Sequence, residues 1–253
     1  VTALIRQATT AAISYSNAED RQEVRDRLVA ILATGLRDAM PGSDHQVAYA
    51  NGLATAATTD AADLLKGWLS GEEVPEGLSI DQGMRWRLVT ALARLGRVGK
   101  DEIAAELQRD NTISGSEQAA GARAAMPTTQ AKQAAWQRAT TDDSVPNETY
   151  RQLVMQFIQP DQTEVLSPYV DPYLELCKAI DSHEGQWAKA GHAQVQNALM
   201  WLFPSTEVID AAWLNKLEGW VSDNDPGSTV RRVLAERADN ARRILRCQEA
   251  SRG

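Results

Sequence analysis

Apolar residues recur at helical spacing along almost the whole chain, and no segment alternates apolar and polar residues as a half-buried strand does. The clearest apolar stripes lie within residues 24–39, 84–95, 150–158, 195–202, 209–221 and 230–245. Residues three and four apart share one face of an α-helix, so each stripe can face a core. Most of these segments end near Gly or Pro, and the third is expected to run to Pro160. The sequence therefore predicts an all-α protein without strands.

The connections between these segments are short, which predicts that successive helices pack antiparallel as hairpins. A chain of such hairpins without strands is typical of an α-solenoid or a stacked helical array. No repeat of fixed length is visible, so the expected array is irregular and HEAT- or armadillo-like. We expect residues 1–253 to form a single domain, a right-handed and bowl-shaped array with one concave face.

The composition fits a globular protein and disfavours several classes of partner. Hydrophobic residues make up 43% of the 253 positions and charged residues 24%, which argues against disorder. The net charge of −8 disfavours binding to nucleic acid or to an anionic membrane. No stretch approaches 18 apolar residues, and residues 1–10 lack the pattern of a signal peptide. We expect no nucleic-acid partner, no membrane partner and a cytoplasmic location.

The stretch "HEGQW", residues 183–187, begins like the zinc-binding helix of a metallopeptidase. That helix needs His-Glu-x-x-His, because two histidines four residues apart share one face and the Glu activates a water. Here Trp187 stands where the second histidine should be. His192 lies nine residues after His183, which would place the two rings on opposite sides of one helix, and His45 is distant in sequence. The chain is predicted to hold no metal.

Other catalytic motifs are absent or incomplete. "GRVGKDE", residues 96–102, has only two residues between its glycines, and Asp101 follows Lys100 where a phosphate-binding loop needs Ser or Thr. A junction between two helices is the better interpretation of that stretch. Cys177 falls on an apolar stripe and is expected to be a buried, inert thiol. We predict no catalytic residue in this chain; an active site assembled from distant residues is one alternative.

Several stretches resemble, in order, the C-terminal helical domain of zinc aminopeptidases of the aminopeptidase N type, in an actinobacterial form. This module is also described as the endoplasmic-reticulum-aminopeptidase-like C-terminal domain. The stretches are "LLKGWLSGEEVPEGLSIDQGMRWRLVTALARLG" (64–96), "IAAELQRDNTISGSEQAAGARAAMPTTQAKQAAW" (103–136), "PNETYRQLVMQFIQPDQTEVLSPYV" (146–170) and "LFPS" (202–205). Each is a helix-and-turn motif of modest specificity, and their order and spacing carry the resemblance.

The resemblance implies a parent enzyme whose zinc helix, downstream Glu ligand and substrate-binding strand precede this domain. Zinc would then be the cofactor of the parent catalytic domain and not of this chain, and "HEGQW" would be a coincidence of helix-start chemistry. The implied partners are the catalytic domain of the same polypeptide and peptide substrates. The implied role is to cap the active-site chamber and limit which peptides enter it. The alternative is a free-standing α-solenoid that acts as a protein-interaction scaffold and has no enzymatic role.

Arg237 is the one candidate substrate-binding residue. It lies seven residues from Val230 and four from Ala241, within the apolar stripe of the last helix. An arginine there needs a carboxylate on a neighbouring helix, or a path by which its head group reaches solvent. With the chamber that the resemblance implies, a third interpretation is that Arg237 grips the carboxylate of a peptide. On the outer face of this helix, Arg232 with Glu236 and Asp239 with Arg243 are predicted to pair.

Overall fold

The computed structural model describes residues 1–251, and all regular secondary structure in that range is helical. The α-helices are α1 (Thr2–Thr10), α2 (Arg21–Asp38), α3 (Asp44–Ala56), α4 (Ala62–Ser70), α5 (Gln82–Arg94), α6 (Lys100–Arg109), α7 (Ile113–Ala125), α8 (Thr129–Thr141), α9 (Asn147–Met155), α10 (Thr163–Leu166), α11 (Val170–Asp181), α12 (His192–Trp201), α13 (Ala211–Asn224) and α14 (Ser228–Ala250). The prediction of an all-α fold is confirmed. Within residues 1–251, no helix has the length and apolar character that crossing a membrane requires.

The chain forms two compact units. Unit 1 contains residues 1–115 and the described residues from Cys247 onward, and unit 2 contains residues 116–246. This division does not test whether residues 1–253 form one domain, so the single domain stays a prediction. The right-handed, bowl-shaped solenoid also stays a prediction.

In unit 1, α2 and α3 form the most extensive helix pair, and α1 packs on α3. Leu28, Leu32 and Leu36 form the buried stripe of α2. A Cβ built on Gly52 of α3 would lie 2.5 Å from the Cγ2 atom of Ile5 in α1, which is closer than side chains pack. The glycine therefore lets α1 approach α3 closely.

The stretch 96–102 is a junction between α5 and α6, as the sequence predicted. Gly96 has a φ of +68° just after α5 ends, a conformation that glycine adopts without strain. Glu102 accepts a hydrogen bond of 2.8 Å from the backbone N–H of Gly99, the residue before α6. This contact satisfies a free N–H at the start of α6, so Glu102 acts as a helix cap.

In unit 2, the core is built from α8, α9 and α11–α14 around a cluster of aromatic rings. Tyr173, Phe203 and Trp213 lie with ring centroids 5.5–6.3 Å apart. Such tilted and edge-to-face pairs add to the stability that their buried area provides. The Tyr173 hydroxyl donates a 2.6 Å hydrogen bond to the Leu199 carbonyl, whereas the buried indole N–H of Trp213 has no hydrogen-bond partner.

Helix α9 ends at Met155, five residues before Pro160, where the sequence predicted its end. Gln156 leaves helical geometry, with φ −99° and ψ 0°. The next carbonyl, that of Phe157, accepts a 2.7 Å hydrogen bond from the buried amine of Lys132. A side-chain donor from another helix thus satisfies a carbonyl beyond the end of α9, and the predicted end at Pro160 is wrong by five residues.

Candidate functional site

The stretch "HEGQW" lies at the end of a helix, so the prediction of helix-start chemistry is wrong. His183 follows α11 with a φ of +56°, and the N–H groups of His183 and Glu184 donate to the carbonyls of Ile180 and Ala179. This is the Schellman arrangement that closes a helix, with a histidine at the position usually held by glycine. Trp187 lies in the following short 3-10 turn and is only 4% exposed.

The three histidines lie on separate elements and are exposed. His45 lies in α3, His183 follows the end of α11, and His192 is the first residue of α12. Across residues 1–251, no three His, Cys, Asp or Glu side chains gather where they could hold a metal ion. The residues that the structure describes therefore do not fit the zinc centre implied by the family resemblance.

Cys177 lies fully buried in α11, as predicted. Burial raises the pKa of its thiol to about 12, because an apolar surrounding disfavours the thiolate. Burial also raises the pKa of the neighbouring Tyr173 well above its ordinary value. Both groups are therefore neutral at physiological pH and are packing elements of unit 2.

Arg237 lies on the buried side of α14, as its position in the stripe predicted. The buried residues of this helix around it include Val230, Val233, Leu234, Ala238 and Ala241. The Arg237 side chain itself is only partly exposed. Burial lowers the pKa of its guanidinium, and the nearby Tyr173 oxygen opposes that change.

The contact that Arg237 makes is with an aromatic ring. Its Cζ atom lies 5.4 Å from the centroid of Phe203, within the range of a cation–π interaction. Its Nε atom is buried and has no hydrogen-bond partner. Within residues 1–251 no carboxylate lies within 4.0 Å of the guanidinium, so the predicted alternative of a buried ion pair is wrong.

One of the two ion pairs predicted on the outer face of α14 is present in the structure. Arg232 Nη1 lies 3.2 Å from Glu236 Oε1, which confirms that pair. Arg243 instead donates a 2.7 Å hydrogen bond to the side chain of Asn240, and in the described part of the chain it makes no ion pair with Asp239. The amide of Asn240 is three residues away and offers a neutral acceptor within easier reach.

The geometry around Arg237 suits recognition of an anion. A guanidinium has five N–H donors, and stacking on a ring uses none of them. The guanidinium carbon lies over the ring of Phe203, and partial burial strengthens the electrostatic attraction between the guanidinium and an anion. Sequence reasoning identified Arg237 but missed Phe203. The "LFPS" stretch gives no periodic signal that would link it to α14.

The all-α fold agrees with what comparison with known proteins finds. The model of the ERAP1-like C-terminal domain family matches residues 1–243, so the chain belongs to that family. The chain is also 36% identical over 251 residues to the Aminopeptidase N of Streptomyces lividans. That match covers 99% of this chain, and the chain spans 28% of the length of that relative.

Proposed function

We propose that this chain is the non-catalytic C-terminal domain of a zinc aminopeptidase N, and that it caps the active-site chamber and limits access to peptides. The observation that carries the proposal is the match to an Aminopeptidase N, which covers 99% of this chain and 28% of the length of that protein. The parent enzyme would remove single N-terminal residues from peptides. The catalytic domain of the same polypeptide and the peptide substrates would be the partners.

In this proposal, zinc belongs to the catalytic domain. When bound there, it would supply a Lewis acid and an activated water. The described residues of this chain do not fit a zinc centre, so no step of the reaction is assigned to them. Their role is steric: a domain that closes over a chamber shields it from bulk water and excludes folded proteins.

The first test compares the parent enzyme with a variant that lacks residues 1–253. The substrates are a single-residue amide, a short peptide and a folded protein with the same N-terminal residue. The proposal expects both enzymes to hydrolyse the amide, which shows that the catalytic part is folded. It expects the deletion variant alone to trim the folded protein, because the chamber would then be open.

Unchanged size selectivity in the deletion variant would refute the capping role. If the deletion variant hydrolyses no amide, the 253-residue chain is added separately, and recovery of amide hydrolysis with peptide selectivity supports the proposal. No binding of the added chain to the deletion variant contradicts it. A reading frame with no His-Glu-x-x-His motif before Val1 would favour the alternative of a free-standing interaction scaffold.

Within this proposal, Arg237 binds the carboxylate of the peptide substrate. The supporting observations are its missing ion pair, its buried Nε without a partner and its position against Phe203. Replacing Arg237→Met in the parent enzyme should raise KM about tenfold for a free peptide, as expected for loss of a charged hydrogen bond. The KM for the same peptide with an amidated C-terminus should not change.

The melting temperature separates this role from a structural one. A buried guanidinium without an ion pair is desolvated without full compensation, so Met at position 237 should leave stability unchanged or raise it slightly. Arg232→Met, on the outer face of the same helix, is the matched control and should leave both KM values unchanged. An unaltered KM for the free peptide in Arg237→Met would show that Arg237 is structural only.

A further inference from the structure

Two arginines of unit 1 lie in a cleft that the proposed function does not use. The cleft has a volume of about 470 Å³ and lies between α1, the turn that follows it, α3 and one residue of α5. This volume is within the range of sites that bind small molecules. Its charged lining residues are Arg6 and Arg87, and no carboxylate lines it.

The arginines of this cleft have no partner of opposite charge. Both side chains are exposed, and neither makes an ion pair or a side-chain hydrogen bond with any described residue. Asn51 also lines the cleft, and its side-chain amide makes no hydrogen bond within residues 1–251. The cleft therefore presents two positive charges and further N–H donors, none of which is paired with a described residue.

A buried hydroxyl in the cleft wall points independently to a ligand. Thr9 lines the cleft and is 7% exposed, yet its Oγ1 atom has no hydrogen-bond partner. The next residue behaves differently, because the Thr10 hydroxyl donates a 2.9 Å bond to the Arg6 carbonyl one turn earlier. A buried hydroxyl without a partner costs free energy, and this one is more than nine-tenths buried.

The backbone beside Thr9 is also unusual. Residues Ala11–Tyr15 form a π-helical turn directly after α1, and two of them, Ile13 and Ser14, line the cleft. Such turns are rare and occur frequently at functional sites. Here the turn directly follows α1 and supplies part of the cleft wall.

From these observations we propose that the cleft formed by Arg6, Arg87, Thr9 and Asn51 binds a small dianion with oxygen atoms at its surface, a phosphate or a dicarboxylate. The two guanidinium groups would supply the charge and paired N–H donors that such oxygens accept. The amide of Asn51 and the hydroxyl of Thr9 would add neutral donors. This site is independent of the proposed peptidase role and of Arg237.

The test measures binding of inorganic phosphate and of succinate to the 253-residue chain, by calorimetry at pH 8 and by the rise in melting temperature. Sodium chloride at equal ionic strength corrects for general screening. We expect at least one of the two anions to bind and to stabilise the chain. Binding of phosphate alone identifies a phosphoryl ligand, and binding of succinate alone identifies a carboxylate ligand.

Variants locate the binding. Arg6→Gln and Arg87→Gln should each weaken it about tenfold or more, and Thr9→Val should weaken it while leaving the melting temperature of the unliganded chain unchanged or slightly higher, because a buried hydroxyl without a partner is removed. The matched control is Arg97→Gln, which removes an exposed arginine of unit 1 outside the cleft. Binding of neither anion beyond the chloride control overturns the proposal, and so does an equal loss in Arg97→Gln. Unchanged binding in Thr9→Val overturns the assignment of that hydroxyl.

Discussion

The most unusual single residue in unit 2 is Lys132, whose side chain is 0% exposed. Its amine donates hydrogen bonds of 2.8 Å to the Ala124 carbonyl and 2.7 Å to the Phe157 carbonyl, and it lies 5.3 Å from the Phe157 ring centroid. Lys132 thus joins the C-terminal end of α7 to the segment after α9. Carbonyls at helix ends carry partial negative charge and suit a cationic donor.

Burial of Lys132 predicts a pH-dependent stability. Burial lowers the pKa of its amine from 10.5 to about 7. Between those values the folded chain holds the amine neutral while the unfolded chain binds a proton. The free energy of unfolding should therefore rise with pH across this window and show no such rise below about pH 7.

The measurement is urea unfolding of the chain and of Lys132→Met between pH 6 and 9. From pH 7 to 9, the free energy of unfolding of the unmodified chain should rise relative to that of Lys132→Met by an amount on the order of 2 kcal/mol. Lys189→Met, at an exposed position of the same unit, is the control and should show a constant difference. Parallel pH profiles for the chain and Lys132→Met would contradict the prediction.

At the scale of helices, two glycines in helix interiors should respond to alanine in opposite directions. A Cβ on Gly52 of α3 would collide with Ile5 of α1, whereas a Cβ on Gly219 of α13 meets no atom within 4 Å. Overpacking at a helix contact costs about 1–3 kcal/mol. Alanine at an open helical position stabilises by about 0.5–1 kcal/mol relative to glycine.

Thermal and urea unfolding of Gly52→Ala and Gly219→Ala check this prediction. Gly52→Ala should lower the melting temperature and Gly219→Ala should raise it. The pair is matched, because both substitutions add one methyl group to a helix interior. A melting temperature that rises in Gly52→Ala would show that α1 moves away from α3 without cost.

At the scale of the whole chain, the prediction of one domain over residues 1–253 has a testable consequence. Helices α7 and α14 each contribute residues to both compact units. If the chain unfolds as one domain, Gly52→Ala should reduce the protection of the slowest-exchanging amides equally in unit 1 and unit 2. Native-state hydrogen exchange measures this directly. Reduced protection confined to unit 1 would show that the units unfold separately.

Helix number and position were largely predictable from the sequence, but helix ends were less so. The stripes in 24–39 and 84–95 correspond to α2 and α5, because each has one clear apolar face and a Gly or Pro beyond it. Helix α9 ends five residues before Pro160, and a donor from a distant residue, Lys132, satisfies the Phe157 carbonyl beyond that end. The "HEGQW" stretch was misread because histidine rarely takes the positive φ that glycine favours.

Candidate sites were predictable only where a polar residue interrupts an apolar stripe. Arg237 stood out because strongly apolar residues surround it in α14. Lys132 did not, because the residues on its face of α8 include Ala131, Ala135 and Ala139, and alanine occurs both in cores and on surfaces. The cleft around Arg6 and Arg87 gave no signal, since the two arginines lie 81 positions apart in the sequence.

The sequence by itself determined the all-α class, the positions of most helices and the resemblance to one family. The helical class and the helix positions follow from local spacing, since residues three and four apart share a helix face whatever the rest of the chain does. The tertiary structure alone decided which charged groups are buried and what they contact. Lys132 lies between the end of α7 and the segment after α9, Arg237 lies on Phe203 instead of beside a carboxylate, and Arg6 and Arg87 line one cleft. Such contacts join residues far apart in sequence, and no local pattern records them.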